Sequence, residues 1–198
     1  TGAVTINDGT ITLANAGALN STAPVAVSFG SNANTKMLQL GGHSVTVSGL
    51  TTGATVGTSI VENNAAGTAT LTVNNAAANT FAGVLRDGAA GTLALTKTGG
   101  GTLTFSGSSP NTYIGLTTVS AGTLELNKTP ESNAIAGDIV VNGGALTLAA
   151  NHQIADTSDI TVNGSANFNS NDKTETVRNV TLNSSYSTPL QHRVANMT

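Results

Sequence analysis

The chain has 198 residues, of which 9 % are charged and 3 % aromatic, with a formal net charge of −3 and no cysteine. Seven Lys and Arg give no clustered basic surface for nucleic acid, and the lack of Cys excludes disulfide frameworks and thiolate metal sites. No apolar run reaches the roughly 18–20 residues of a membrane helix, and a hydrophobic content of 38 % is lean for a conventional core yet too high for a disordered tail.

The first predicted strand is Val4-Thr5-Ile6, two apolar residues flanking a Thr. The same short pattern returns at Val25-Ala26-Val27, Val45-Thr46-Val47, Leu71-Thr72-Val73 and Leu93-Ala94-Leu95. It continues at Thr117-Thr118-Val119, Ile139-Val140-Val141, Ile160-Thr161-Val162 and Val180-Thr181-Leu182. Counted between the last residues of successive copies, the steps are 21, 20, 26, 22, 24, 22, 21 and 20 residues. Apolar residues at i and i+2 share one face of a strand, while Thr turns outward, where its branched side chain suits the pleat. Most copies lead through a Gly-containing turn to a second alternating run. Asn7-Asp8-Gly9 precedes Ile11 and Leu13, Ser120-Ala121-Gly122 precedes Leu124 and Leu126, and Asn142-Gly143-Gly144 precedes Leu146 and Leu148.

An antiparallel sandwich is the alternative, because Asn-Gly between alternating strands is also a hairpin signal. A sandwich gives no reason for whole units to resemble their neighbours. A solenoid does, since each strand lies above its counterpart one turn earlier. The pattern predicts an all-β parallel β-solenoid of about nine coils, each of roughly 20–24 residues, over residues 1–183. A narrow tube favours Val, Leu, Ile and Ala inside over rings. Asn7, Asn74, Asn142, Asn163 and Asn183 flank the strands, and equivalent Asn residues are expected to stack as a structural ladder. Residues 184–198 carry neither the Gly turn nor the triplet and read as a cap, arm or linker. No basic-then-apolar leader opens the chain, so it reads as a mature product or a piece of something longer.

Residues 80–126 carry a more specific pattern. Thr80-Phe81-Ala82-Gly83-Val84-Leu85 is followed by Leu95-Thr96-Lys97-Thr98-Gly99-Gly100-Gly101-Thr102-Leu103-Thr104-Phe105-Ser106-Gly107. Next come Asn111-Thr112-Tyr113-Ile114-Gly115-Leu116-Thr117-Thr118-Val119 and Ala121-Gly122-Thr123-Leu124-Glu125-Leu126. This stretch resembles the autotransporter-associated β-strand repeat, of the form LTKTGxGTLTLSGxNTYTGxTTVxxGTLxL. The resemblance implies a right-handed parallel β-helix in a secreted or surface-displayed bacterial protein, where such repeats form stalks. Ile114 departs from the usual Thr, Leu116 fills the position that the form leaves open, and Ser108-Ser109-Pro110 enlarges the preceding loop.

Each candidate for chemistry has a structural reading beside it. Asp138, Asp156 and Asp159 are near enough in sequence or register to suggest a Ca²⁺ or acid–base site, but Asp is common in turns and no cation is evident one coil away. Arg86-Asp87-Gly88 reads as a turn with a local ion pair. His43, His152 and His192 lack partners at ligand spacing. Gly99-Gly100-Gly101 is a turn rather than a phosphate cradle, since no Lys-Ser or Lys-Thr follows it. Phe105 and Tyr113 read as packing rather than a sugar platform. No catalytic, cofactor-binding or metal-binding residue is nominated, and the chain is not expected to be an enzyme. The expected role is a structural element of the bacterial cell surface or extracellular matrix, a stalk or fibre subunit that assembles end to end. The alternatives are an adhesin that binds glycans or cells through an outer face, and a polysaccharide-degrading β-helix enzyme.

Overall fold

The computed structural model describes residues 2–19, 23–54 and 57–183. The expected cap or arm at 184–198 lies outside the described residues, as does His192. Coil 1 holds β1 (Val4–Ile6) and β2 (Gly9–Thr12), and coil 2 holds β3 (Ala26–Phe29), β4 (Lys36–Gln39) and β5 (Val45–Val47). Coil 3 holds β6 (Gly49–Thr52), β7 (Ser59–Asn63) and β8 (Gly67–Asn74); coil 4 holds β9 (Asn79–Phe81), β10 (Val84–Asp87) and β11 (Gly91–Thr98). Two strands per coil then remain: β12 (Thr102–Phe105) and β13 (Thr117–Val119) in coil 5, and β14 (Thr123–Leu126) and β15 (Ile139–Val141) in coil 6. Coil 7 holds β16 (Ala145–Leu148) and β17 (Asp159–Asn163), and coil 8 holds β18 (Asn167–Asn169) and β19 (Asn179–Asn183).

Every strand pairs in parallel with its counterpart one coil away, so the strands stack into three faces. Face 1 runs β1-β3-β6, with β9 lying against β6, and continues through β12, β14, β16 and β18. Face 2 is β2-β4-β7-β10 and ends in coil 4. Face 3 is the seven-stranded stack from β5 to β19. Val141 and Val162 sit opposite each other on parallel strands, as a solenoid requires and a sandwich forbids. No helix among the described residues is long and apolar enough to cross a membrane.

The stack has eight coils, one fewer than the triplet count predicts. Val25-Ala26-Val27 falls at β3 on face 1, and Val45-Thr46-Val47 is β5 on face 3 of the same coil, so one coil is counted twice. All three faces carry the same alternation, which hydrophobicity alone cannot tell apart. A second correction concerns register. Val47, Val73, Lys97, Val119, Val141, Val162 and Leu182 form one inward column, so the residue equivalent to Val73 is Lys97 and not Leu95. Leu95 belongs to the neighbouring inward column of Val45, Leu71, Leu95, Thr117, Ile139, Ile160 and Val180. The outward column between them is Thr at 46, 72, 96, 118, 161 and 181, interrupted by Val140, so Thr faces out on face 3 as predicted.

Rings do enter the tube. All four Phe and Tyr113 are buried. Phe29 and Phe81 lie 5.6 Å apart between centroids and Phe81 and Phe105 lie 6.5 Å apart, forming an aromatic file inside face 1. The corner from face 3 to face 1 demands glycine. Gly122 and Gly144 have φ of +65° and +68°, and a Cβ there would lie 2.4 and 2.1 Å from the carbonyl oxygens of Gly101 and Gly122 in the coil before.

Candidate functional site

Where face 2 stops being a sheet, its place is taken by buried polar side chains. In coils 1–4 the strands satisfy each other's amides, and one outward residue per coil extends the pairing. Thr12 donates to Gln39 at 2.7 Å, Gln39 to Glu62 at 2.8 Å, and Arg86 Nε to Glu62 at 2.7 Å. From coil 5 the backbone in this position is irregular apart from the Ile135–Ile154 bridge. Asn111 is 1 % exposed; it accepts from Leu85 N at 2.9 Å and donates to Ala134 O at 2.8 Å, tying coils 4, 5 and 6. Gln153 accepts from Lys128 N at 2.7 Å and donates to Lys128 O at 3.2 Å. Glu175 accepts from Gln153 N at 2.6 Å and Ile154 N at 3.2 Å. These side chains stand in for ladder partners, because a buried backbone amide without a partner costs about as much as a lost hydrogen bond.

The electrostatics follow from burial. Glu175 is wholly buried, and that pushes its carboxyl up to about 6 against the opposing pull of the Gln153, Thr176 and Ile154 amides and of His152. Lys128 is 1 % exposed, and burial pushes its amine down to about 8. Lys97 is also lowered by burial. Three of the four lysines, Lys36, Lys97 and Lys128, are at most 1 % exposed. Each ammonium faces oxygens of the chain: Lys36 the Asn32 carbonyl at 2.7 Å, and Lys97 those of Thr98, Gly99 and Ala121 at 2.5, 2.9 and 3.3 Å. Lys128 donates to Gly83, Ser106 and Ser109 at 3.0, 3.0 and 2.8 Å. Nearby, an open groove of about 420 Å³ is lined by Thr58, Ser59, Ala82, Gly83, Val84 and Ser109 among others. It lies where the corner of coil 4 is only Ala82 and Gly83, between longer loops of the adjoining coils.

Several of the residues weighed from sequence have structural partners. Asp138 and Asp159 do meet, with Asp159 N donating to the Asp138 carboxylate at 2.9 Å. The cation that sequence spacing did not reveal is Arg178, forked onto Asp159 at 2.8 and 2.6 Å and 3.8 Å from Asp138. The Arg178 hydrogen bonds, then that of Asn179, hold the Asp159 carboxyl down at about 2. Asp156 stays exposed in the preceding turn. Arg86 pairs with Glu62 of the previous coil rather than locally, while Asp87 accepts from Leu93 N at 2.7 Å and Ile114 N at 3.1 Å. His152 lies 3.7 Å from Glu131, and no cluster of three or more metal-ligating side chains forms among the described residues. Phe105 and Tyr113 are core, and the Tyr113 hydroxyl is 2.7 Å from Thr117 Oγ1. The ladder forms from Asn142 through Asn163 to Asn183, at 2.7 and 2.9 Å. Asn74 instead sits beside Thr98. Lys36, Lys97, Lys128, Asn111, Gln153 and Glu175 were not singled out in the sequence. The one available signal was Lys97, standing where the inward column otherwise places Val or Leu.

Residues 95–126 match the family model for the passenger-associated-transport-repeat. The match begins in β11 and ends with β14, so the repeat spans the end of coil 4, all of coil 5 and the first strand of coil 6. No curated protein and no solved structure matches the chain.

Proposed function

We propose that this chain is a structural rod of a secreted or surface-exposed bacterial protein, serving as a stalk or fibre subunit. The observation that carries this reading is a passenger-type repeat seated in mid-stack, within a solenoid of eight coils. Two sets of its outward polar groups form coil-to-coil ladders, Thr12–Gln39–Glu62–Arg86 on face 2 and Asn142–Asn163–Asn183 on face 3. At a strand spacing of about 4.8 Å, eight coils make a rod about 40 Å long. End-to-end assembly would place β1 of one copy over β18 of the next on face 1. Negative-stain microscopy and sedimentation across a concentration series test this: the expected result is filaments that lengthen with concentration. Single short rods at every concentration remove self-assembly. Turnover of pectin-like or glucan polymers, with or without Ca²⁺, overturns the structural reading in favour of an enzyme.

One observation favours a second reading, an adhesin. Ile114 and Leu116 are 67 % and 46 % exposed on one outer corner, Ile114 where the repeat's usual form has Thr and Leu116 at the position that form leaves open. Binding of the rod to cells or immobilised glycans, lost on replacing Ile114 and Leu116 each with Thr, is the outcome that selects it.

A further inference from the structure

The Lys128 ammonium has three hydrogens and three carbonyl partners, Gly83 O, Ser106 O and Ser109 O, all within 3.0 Å. No carboxylate pairs with it among the described residues, whose ion pairs all belong to Arg86, His152 and Arg178. A buried cation without a counter-ion is costly unless fixed dipoles replace its water. The carbonyls supply those dipoles. They belong to two successive corners, the short Ala82–Gly83 turn of coil 4 and the Ser106–Pro110 loop of coil 5, where the departure from strand geometry leaves oxygens without ladder partners. The enlarged Ser108-Ser109-Pro110 loop is thus held down from the coil above it and not by its own residues.

We propose that the Gly83, Ser106 and Ser109 carbonyls form a monovalent-cation site, selective for hydrogen-bonding ammonium ions, which the chain fills with its own Lys128. Two of the three residues, Gly83 and Ser109, also line the open groove of about 420 Å³, so a solute cation has a route to the carbonyls once the lysine is gone. The inference does not depend on the rod being a stalk, a fibre or an adhesin. It distinguishes the head of the lysine from its aliphatic stem, which packing alone would value.

The test compares Lys128→Ala and Lys128→Met in the 198-residue chain. Both are expected to lower the melting temperature, Lys128→Ala by about 10 °C. Ammonium or methylammonium then restores at least half of that loss in Lys128→Ala, whereas tetramethylammonium at equal ionic strength restores none, because it cannot donate. Lys128→Met, whose side chain refills the stem's space, is expected to stay low in every salt. A Lys128→Met protein as stable as the unaltered chain overturns the proposal, as does equal rescue by ammonium and tetramethylammonium. If Lys128→Ala does not fold, the Lys128→Met result decides, together with amine acetylation of the unaltered folded protein. There Lys173 is expected to react and Lys128 to stay unmodified; rapid labelling of Lys128 in the folded state rejects a caged ammonium.

Discussion

Coils 1–4 and coils 5–8 close the same three-sided tube by different means. In the first four, face 2 is a sheet, its amides pair strand to strand, and the outward ladder from Thr12 to Arg86 is an addition to an already satisfied backbone. In the last four, face 2 has no strand, and Asn111, Gln153 and Glu175 supply the hydrogen bonds themselves. Face 1 runs through both halves and face 3 from coil 2 onward, and both keep their strands and inward apolar columns in coils 5–8. The lesson is that a solenoid wall can be closed by backbone alone or by buried polar side chains, and only the second makes single side chains indispensable.

Four substitutions probe that difference. Asn111→Leu leaves Leu85 N and Ala134 O buried without partners and is expected to cost about 3 kcal/mol or more, read as a large loss in chemical denaturation. A cost below about 1 kcal/mol would show that the irregular wall does not depend on its side chains.

Glu175→Gln works in the opposite direction. The folded carboxyl binds its proton more tightly than the unfolded one, at about 6 against 4.5. Stability from this group is therefore greatest below the unfolded value and is lost as pH rises through about 6. The unaltered chain should gain about 2 kcal/mol between pH 7 and pH 4 from this group. Glu175→Gln should be more stable at pH 7 by a comparable amount, with that part of the pH slope gone. Denaturant midpoints at both pH values check it, and an unchanged slope removes Glu175 as its source.

Arg86→Ala, in the regular half, breaks an ion pair whose Arg side chain is 40 % exposed, and about 1 kcal/mol or less is expected. A cost as large as that of Asn111→Leu would erase the contrast between the halves. Asn163→Ala interrupts the outer Asn ladder, whose amides are exposed, and should cost about 0.5 kcal/mol. Its melting curve should almost overlay that of the unaltered chain.

The solenoid and the parallel stacking of Val141 on Val162 were legible, because full-period repetition survives in the apolar triplets. Which face a triplet occupies was not, since all three walls share a period of two and the coil length drifts with the loops. The shift at Leu93-Ala94-Leu95 has a definite cause: the inward position is filled by Lys97, which a hydrophobic pattern counts as outside. The rings inside face 1 were missed because Phe29 and Phe81 reach each other across coil 3, where Thr52 pairs with Phe29 and places no ring in the file. Arg178 was missed because it precedes the strand carrying Asn179, the registered partner of Asp159, and reaches back to the carboxylate from the corner. The Asn ladder was legible where Asn recurs at the same corner, in coils 6, 7 and 8, and failed at Asn74, whose counterpart is Thr98.

In a stacked architecture each winding ordinarily touches only the windings directly above and below it. Lys128 breaks that rule, since its amine reaches Gly83, 45 positions earlier and two windings away. A chain that winds up from its beginning lays down all three oxygens before the amine arrives. One that winds up from its end must leave that amine in water until two more layers have closed over it. The order of threading is therefore written into the timing of a single contact, and the middle of the rod should set as a three-layer block rather than one layer at a time.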